Sequence, residues 1–462
     1  MDSLEAISPI DGRYRKVTEP LAEIFSERGL ISSRVQVEGE YLLALSEHPN
    51  INVRTFSTEE KQMIRGLYSL SLEDAAIVKA FEIKGYKNIK ATNHDVKAVE
   101  YYLKDRLEGT SLEDVTEFIH FGLTSEDTNN LSYALMLQES IGILLPSLNE
   151  LYDSLTNFSD KYKNLPMLAR THGQAASPTT FGKEFKVFAS RLERQLEQLE
   201  QQELLVKLNG ATGNYNAHVA AYPHVDWLKF TENFIATLNK NKHFLKLTPN
   251  FITTQIEPHD SYAELFDNLK RINTILIGLD QDLWRYISDD WITQKQVDGE
   301  IGSSTMPHKI NPIDFENSEG NLGLANALFT YFSGKLPISR LQRDLSDSTV
   351  ERNFGVAFAH SLIGYSSTLK GLKKISVNEE KVLQELEKHP EVISEALQTI
   401  LRREGIDTPY EQLKTLTRGR KMTMVDFEHF INNLDISEKL KKELNTLTPS
   451  GYIGLASNLV EL

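Results

Sequence analysis

The sequence predicts an all-α fold organised around a bundle of unusually long helices. Two apolar patterns and one absence carry that expectation. From Pro178 to about Leu208 there is no further proline and a single glycine, Gly182, while Phe181, Phe185, Phe188, Leu192, Leu196 and Leu199 recur three or four residues apart. Beyond Ser261, Leu265, Leu269, Ile272, Leu276, Leu279 and Leu283 alternate four and three apart, the spacing of a heptad seam. No sustained period-two alternation marks a sheet, beyond short pieces.

In chain order, Gly109-Thr110 followed by Ser111-Leu112-Glu113-Asp114 reads as a turn into a capped helix, so a first region closes near residue 110. A long helical pattern runs from Ser125 through Leu151, with a kink or break expected at Pro146. Thr171-His172-Gly173-Gln174 then links two long helical patterns. Ser177 is the expected N-cap of the next helix and Asn209-Gly210 its stop, a span of roughly 45 Å. A further helix follows Pro312, with Asn311 as N-cap, Pro312 at the first helical position and Asp314 and Glu316 near the first turn. Lys373-Lys374-Ile375-Ser376-Val377 opens a last region of shorter helices. The expected regions are 1–110, 111–372 with the long helices, and 373–462. Helices this long bury their stripes side by side, and surplus apolar face points to association between chains.

Composition bounds the function. The net charge of −15 argues against nucleic acid or an anionic membrane surface as partner. The absence of cysteine excludes disulfides, thiolate metal sites and cysteine nucleophiles, and fits a reducing cytoplasm. The start of the chain lacks the basic and apolar runs of a signal peptide, and no run of about eighteen apolar residues is present. Glycine-rich phosphate loops are also missing, so no organic cofactor is expected, and His94 with Asp95 is too small a set for a metal.

The most informative segment is Gly302-Ser303-Ser304-Thr305-Met306-Pro307-His308-Lys309-Ile310-Asn311-Pro312. It carries adjacent hydroxyls, a cation and an amide to a helix start, where unpaired N–H groups favour an anion. Gly299 and Gly302 give the stretch freedom to move, as a lid over a carboxylate or phosphate requires. Arg13 with Tyr14, and the run from Arg340 to Arg352, offer guanidinium forks suited to phosphate. In that run Asp344, Asp347 and Glu351 could equally serve as simple ion-pair partners.

These motifs carry a resemblance that extends from Ser8-Pro9-Ile10-Asp11-Gly12-Arg13-Tyr14 to Pro449-Ser450-Gly451-Tyr452-Ile453-Gly454. The eleven-residue segment resembles the mobile loop of the fumarase/aspartase superfamily, whose members eliminate a leaving group from a succinyl unit and release fumarate. His308 between Pro307 and Lys309 is similar to the branch acting on succinylated purine nucleotides, in its longer bacterial form. The resemblance implies three helical regions and a central long-helix bundle shared across a homotetramer, with active sites built by three chains. It implies β-elimination of fumarate from adenylosuccinate, giving AMP, and from SAICAR, giving AICAR.

Roles follow residue by residue from the same resemblance. Ser303 is the expected general base, working as an alkoxide or near-alkoxide. His172, in Arg170-Thr171-His172-Gly173-Gln174, is the expected general acid toward the purine-linked nitrogen. Asn93, His94 and Asp95 line the substrate site, with His94 assisting and binding a carboxylate. Thr124, Ser125 and Thr171 are carboxylate ligands, and Ser304, Lys309, Ile310, Asn311, Asn317 and Gln255 bind substrate. Arg13, Tyr14, Arg343, Ser348, Thr349 and Arg352 hold the nucleotide. Glu257 is expected to orient a histidine. Asn209-Gly210-Ala211-Thr212-Gly213-Asn214-Tyr215-Asn216 shapes the end of the long helix beside the site. Two rivals stand beside this reading. A sister lyase acting on argininosuccinate, aspartate or malate has no need of the Arg343, Ser348 and Arg352 set, and a silent helical scaffold has no need of Ser303, His172 and Lys309.

Overall fold

A computed structural model describes residues 4–240, 244–295, 306, 309–407, 409, 411, 413 and 422–462. The order of elements opens with five helices: α1 (Arg15–Phe25), α2 (Glu27–Glu47), α3 (Thr58–Gly66), α4 (Leu72–Ile83) and α5 (Asp95–Leu107). The first very long helix, α6 (Ser125–Lys161), follows. A hairpin of β1 (Pro166–Thr171) and β2 (Gln174–Thr180) leads into α7 (Phe181–Gln201). Next come β3 (Glu203–Val206), α8 (Asn216–Ala221), α9 (Trp227–Leu238) and β4 (Lys246–Pro249), in which β3 and β4 pair in parallel. Then come α10 (Asp260–Ser288), β5 (Ile292–Gln294), α11 (Ile313–Lys335), α12 (Ser346–Glu351) and α13 (Phe354–Lys374). Strand β6 (Ile375–Val377) pairs with β5, and α14 (Glu379–Glu387), α15 (Ser394–Arg403) and shorter helices complete the described chain.

The chain divides into two compact units, and each takes a segment of α6, α7, α10, α11 and α13. The first comprises residues 1–148, 194–274 and 320–366, the second 149–193, 275–319 and 367–462. The all-α expectation holds: among the described residues, the six strands form three two-stranded pairs and no layer of sheet.

The heptad seam is buried as its spacing requires: Leu265, Leu269, Ile272, Leu276, Leu279 and Leu283 expose 2% or less of their surface. Each such side chain contributes about 1.5–3 kcal/mol relative to exposure. In the first unit Phe266 packs among Phe329, Phe332 and Phe354, with ring centroids 4.9–5.6 Å apart. Two polar ties hold α10 to its neighbours: the Tyr365 hydroxyl of α13 donates to Asn273 Oδ1 at 2.6 Å, and Asn268 Nδ2 donates to the carbonyl of Gln195 on α7 at 3.1 Å. In the second unit Phe158 stacks on Phe185 at 5.1 Å, and Ser159 Oγ donates to the Gly182 carbonyl at 2.8 Å. A Cβ on Gly182 would meet that carbonyl's neighbour Ser159 O at 2.3 Å, so glycine permits the close crossing.

Helix α6 is long and apolar enough to cross a membrane, yet 67% of its most apolar window is buried inside the protein, as befits a core helix. It runs unbroken through Pro146, so of the expected kink or break the break is absent. Four other local expectations are corrected. Pro178 to Thr180 belong to β2, so α7 begins at Phe181, where Thr180 Oγ1 accepts the Lys183 N–H at 3.2 Å, and it ends at Gln201 because β3 follows. The link Thr171 to Gln174 is the tip of a hairpin. The stretch after Leu112 is a 3-10 turn, Glu113–Phe118, without a side-chain cap. Helix α11 starts one residue later than expected, since the Pro312 carbonyl accepts the first helical N–H groups, from Phe315 and Glu316.

Candidate active site

In the first unit the candidate residues converge on the N-terminus of α6. Thr124 ends the approach, its carbonyl taking the Asp127 N–H at 2.9 Å while the Asp127 carboxylate takes the Thr124 N–H at 2.9 Å. The turn before it needs left-handed backbone at His120 (φ 60°) and Gly122 (φ 72°). Asp127 is itself fully buried, with Lys207 Nζ at 2.5 Å and the N–H groups of Asn209 and Gly210 at 3.0 and 3.1 Å. Removing one partner of such a pair costs roughly 3–5 kcal/mol. This anchor fixes the Asn209-Gly210 turn against the helix start and presents Thr124 and Ser125 outward.

Ser125 Oγ lies 3.3 Å from His94 Nε2. His94 is the N-cap of α5, and its Nδ1 accepts the Lys97 N–H at 3.3 Å. That bond uses Nδ1 as acceptor, which leaves Nε2 to carry the proton in the neutral ring and donate toward Ser125. Asn93 supplies the left-handed residue (φ 47°) that turns the chain into this cap.

Asp95, next to His94, bridges two guanidiniums: Oδ2 receives Arg34 Nη2 at 2.8 Å and Arg352 Nη2 at 2.9 Å. Burial pushes its carboxyl up, but Arg34, the Val96 N–H and Arg352 together hold it below the usual range. Arg343 Nη1 lies 3.4 Å from Gln255 Oε1, and Gln255 Nε2 donates to the Ala211 carbonyl at 2.9 Å. Gly213 allows that contact, and the Thr254 hydroxyl donates to the Gln342 carbonyl at 2.8 Å, so the turn after β3, the loop around Gln255 and the arginine segment form one patch. Ser348 and Thr349 stand on α12, between the two arginines in sequence. Arg13 and Tyr14 lie where the chain enters α1, the guanidinium 6.0 Å from the ring centre. A cavity of about 330 Å³ is lined by Arg352 together with Ser8, Asp11 and Arg15 of that N-terminal turn.

Beneath Arg343 is a buried acidic group; the sequence names Asp347 and Glu351 as ion-pair partners in this run, but not Glu126. Glu126 reaches Arg343 Nη2 at 3.2 Å, Asp347 Oδ2 reaches its Nε at 3.6 Å, and Glu351 Oε1 lies 3.4 Å from His259 Nε2. Burial first, and the Glu351 carboxylate second, raise the Glu126 carboxyl well above the carboxylate range. Burial lowers the His259 imidazole, yet Glu351 outweighs it and brings it up to about 9. Glu257 does not orient an imidazole as expected; its Oε2 accepts the backbone N–H of His259 at 2.7 Å. Arg34, Glu38 and Lys207 were missed for one reason. Each is a buried charged residue with no local signal that separates burial from a solvated face; only Lys207 sits in an apolar stretch, Leu204-Leu205-Val206-Lys207-Leu208.

The second unit carries the other candidates. His172 and Gly173 form the two-residue tip of the β1–β2 hairpin, both with positive φ (52° and 75°), the geometry of a type I′ turn. His172 and Thr171 are exposed there. The hairpin is braced from below, as Arg170 pairs with Glu385 at 3.1 Å and the Ser177 hydroxyl bonds Glu395, which also accepts from the Tyr452 hydroxyl at 2.9 Å. Ser303 and Ser304 lie outside the described residues, as does His308. Lys309 and Ile310 are exposed before α11, and Gln294 Nε2 donates to the Ile310 carbonyl at 3.0 Å. Asn311 leads into the helix, and Asn317, one turn inside it, donates to Ser367 Oγ at 2.8 Å. Among the described residues, no group of three or more potential ligands could hold a metal ion.

Known proteins share this sequence and fold. A family model described as lyase matches residues 12–326, and one described as adenylosuccinate lyase C-terminal matches residues 339–453. Adenylosuccinate lyases of Haemophilus influenzae and of Escherichia coli (strain K12) are each 50% identical to the chain, over all of it and 99% of their own length. That of Dictyostelium discoideum is 49% identical over 98% of the chain and 97% of its own. Two solved structures share the fold at low identity. The 3-carboxy-cis,cis-muconate lactonizing enzyme of Pseudomonas putida has a TM-score of 0.70 at 18% identity, covering 96% of this chain and 95% of that one. A fumarate lyase of Mesorhizobium sp. BNC1 has a TM-score of 0.72 at 17% identity, covering 96% of each.

Proposed function

Because the chain belongs to the adenylosuccinate lyase family, we propose that it cleaves adenylosuccinate to AMP and fumarate, and SAICAR to AICAR and fumarate, in the cytoplasm. The observation that carries this reading is identity of one residue in two over the entire length, with every motif above inside the matched span.

The chemistry is a β-elimination. Ser303, as an alkoxide, takes a proton from the succinyl carbon next to a carboxylate, leaving a carbanion conjugated with that carboxylate. The electron pair then forms the double bond of fumarate, the C–N bond breaks, and His172 delivers a proton to the departing purine-linked nitrogen. Thr124, Ser125, Thr171 and His94 hold the carboxylates, assisted by Ser304, Lys309, Ile310 and Asn311. A hydroxyl pair at the start of a 37-residue helix supports that role, since such a terminus favours anions. Arg343, Ser348, Thr349 and Arg352 bind the phosphate, with Gln255, Asn317, Arg13, Tyr14, Asn93 and Asp95 completing the nucleotide site. The reading also includes a homotetramer with shared sites, and the three regions 1–110, 111–372 and 373–462 as its building plan.

The test is direct: purified protein mixed with adenylosuccinate should lose the absorbance of the succinylated purine and release fumarate in equal amount. Turnover of argininosuccinate or malate instead, without competition by AMP, would replace this reading with a sister lyase.

A further inference from the structure

Arg352 is a phosphate ligand whose charge is guarded. Its two terminal nitrogens meet two carboxylates, Asp95 at 2.9 Å and Glu27 at 3.0 Å. Two carboxylates on one guanidinium leave a net charge of about −1, which repels a phosphate. Each carboxylate, however, has a second cation. Lys79 Nζ sits 3.1 Å from Glu27, and Arg34 Nη2 sits 2.8 Å from Asp95. The two guards differ in placement. Lys79 is a third exposed, whereas Arg34 is buried to 2%.

Burying a guanidinium is expensive, and a buried ion pair is weak evidence of a gain in stability. Arg34 even leaves Nη1 without a partner. What the burial secures is position. Arg34 Nε donates to Asn129 Oδ1 at 2.9 Å, one turn beyond Ser125 on α6, so the fork spans α2, α6 and the start of α5. The Asp95 carboxylate is thus fixed by Arg34 on one oxygen and by the Val96 N–H at 2.9 Å on the other.

We propose that Arg34 is a positioning residue for nucleotide binding: it orients Asp95, which orients Arg352, and it neutralises Asp95 so that the charge of Arg352 stays available to the phosphate. Arg34 itself touches no substrate. The inference rests on the assignment of Arg352 to the phosphate, so the experiment separates the two.

In the full-length enzyme, product inhibition by AMP and by fumarate is measured for Arg34→Met, Arg34→Met with Asp95→Asn, Arg34→Lys and Arg352→Ala. Arg34→Met should weaken inhibition by AMP about tenfold, the order of one lost charged interaction, and leave inhibition by fumarate, which has no phosphate, within about twofold. Adding Asp95→Asn should recover part of the AMP affinity, because the unneutralised carboxylate is gone. Arg34→Lys keeps a charge but cannot serve Asn129 and Asp95 together. It should show a smaller loss confined to AMP, and it carries the test if Arg34→Met does not fold. Equal weakening toward AMP and fumarate, or a double variant worse than Arg34→Met, would make Arg34 merely structural and overturn the proposal. Normal AMP inhibition in Arg352→Ala would instead remove the phosphate assignment, and the inference with it. AMP inhibition lost in Arg352→Ala but intact in Arg34→Met would overturn the inference alone.

Discussion

Gly213 shows how one backbone position holds the Gln255 loop in place. Its φ is 80°, and a Cβ there would stand 2.4 Å from the Thr253 carbonyl oxygen and 2.8 Å from that of Thr254. Both atoms are backbone, so neither can rotate away. Gly213→Ala is expected to cost about 2–4 kcal/mol and to push the loop carrying Gln255 off the arginine segment. Calorimetry would read a lower melting midpoint, and kinetics a higher KM; an unchanged midpoint would contradict the packing. At the reacting atoms the expectation is sharper. Ser303→Ala should still bind adenylosuccinate while turnover falls by orders of magnitude, and near-normal turnover would take Ser303 out of the role of base. Arg343→Ala should chiefly raise KM, because it removes binding that substrate and transition state share. An effect confined to kcat would count against phosphate recognition.

In the second unit a polar layer crosses three long helices. Asp280 of α10 accepts from Thr368 of α13 at 3.0 Å, and Thr368 shares a 2.7 Å hydrogen bond with Ser318 of α11. Burial pushes the Asp280 carboxyl up to about 8, with the two hydroxyls offsetting only part of that. The native state therefore keeps a proton that the unfolded chain has released above about pH 4. Stability from this group is full below pH 4 and is lost as pH rises toward 8. Asp280→Asn, which needs no proton, should flatten the slope of the melting midpoint between pH 5 and 8; the same slope in both proteins would refute a neutral Asp280. None of this was legible in sequence, where Asp280 reads as one more acid in a helix. The α10 seam was legible, because five leucines and one isoleucine at 4-3 spacing define one buried face. The candidate residues were nameable from sequence where they sit in short motifs, as at His94, Ser125 and Arg352. Their support was hidden because it is long-range: Glu126 beneath Arg343, or Arg34 behind Asp95, meets a partner dozens to hundreds of residues away. Local pattern also misjudged the His172 tip, since a two-residue hairpin turn between short strands leaves hardly any period-two signal.

For the whole molecule, the question is how many chains complete one site. The long helices expose large apolar side chains: Leu324 and Tyr331 of α11 are 55% and 56% exposed, and Trp284 of α10 is 44% exposed. Large apolar side chains on helices of this length fit a bundle continued by other copies. In the proposed homotetramer, Ser303 and His172 of one site come from different chains, so two inactive variants can complement each other. Ser303→Ala chains contribute intact His172, and His172→Ala chains contribute intact Ser303. Random assortment of an equal mixture should place both intact groups in about a quarter of the sites. Co-refolded or subunit-exchanged mixtures should then recover up to that share of wild-type turnover, rising and falling with the mixing ratio and greatest when the two are equal. Mass-verified mixed tetramers without recovered activity would mean that each chain supplies its own base and acid, and the exposed helical faces would then serve association alone.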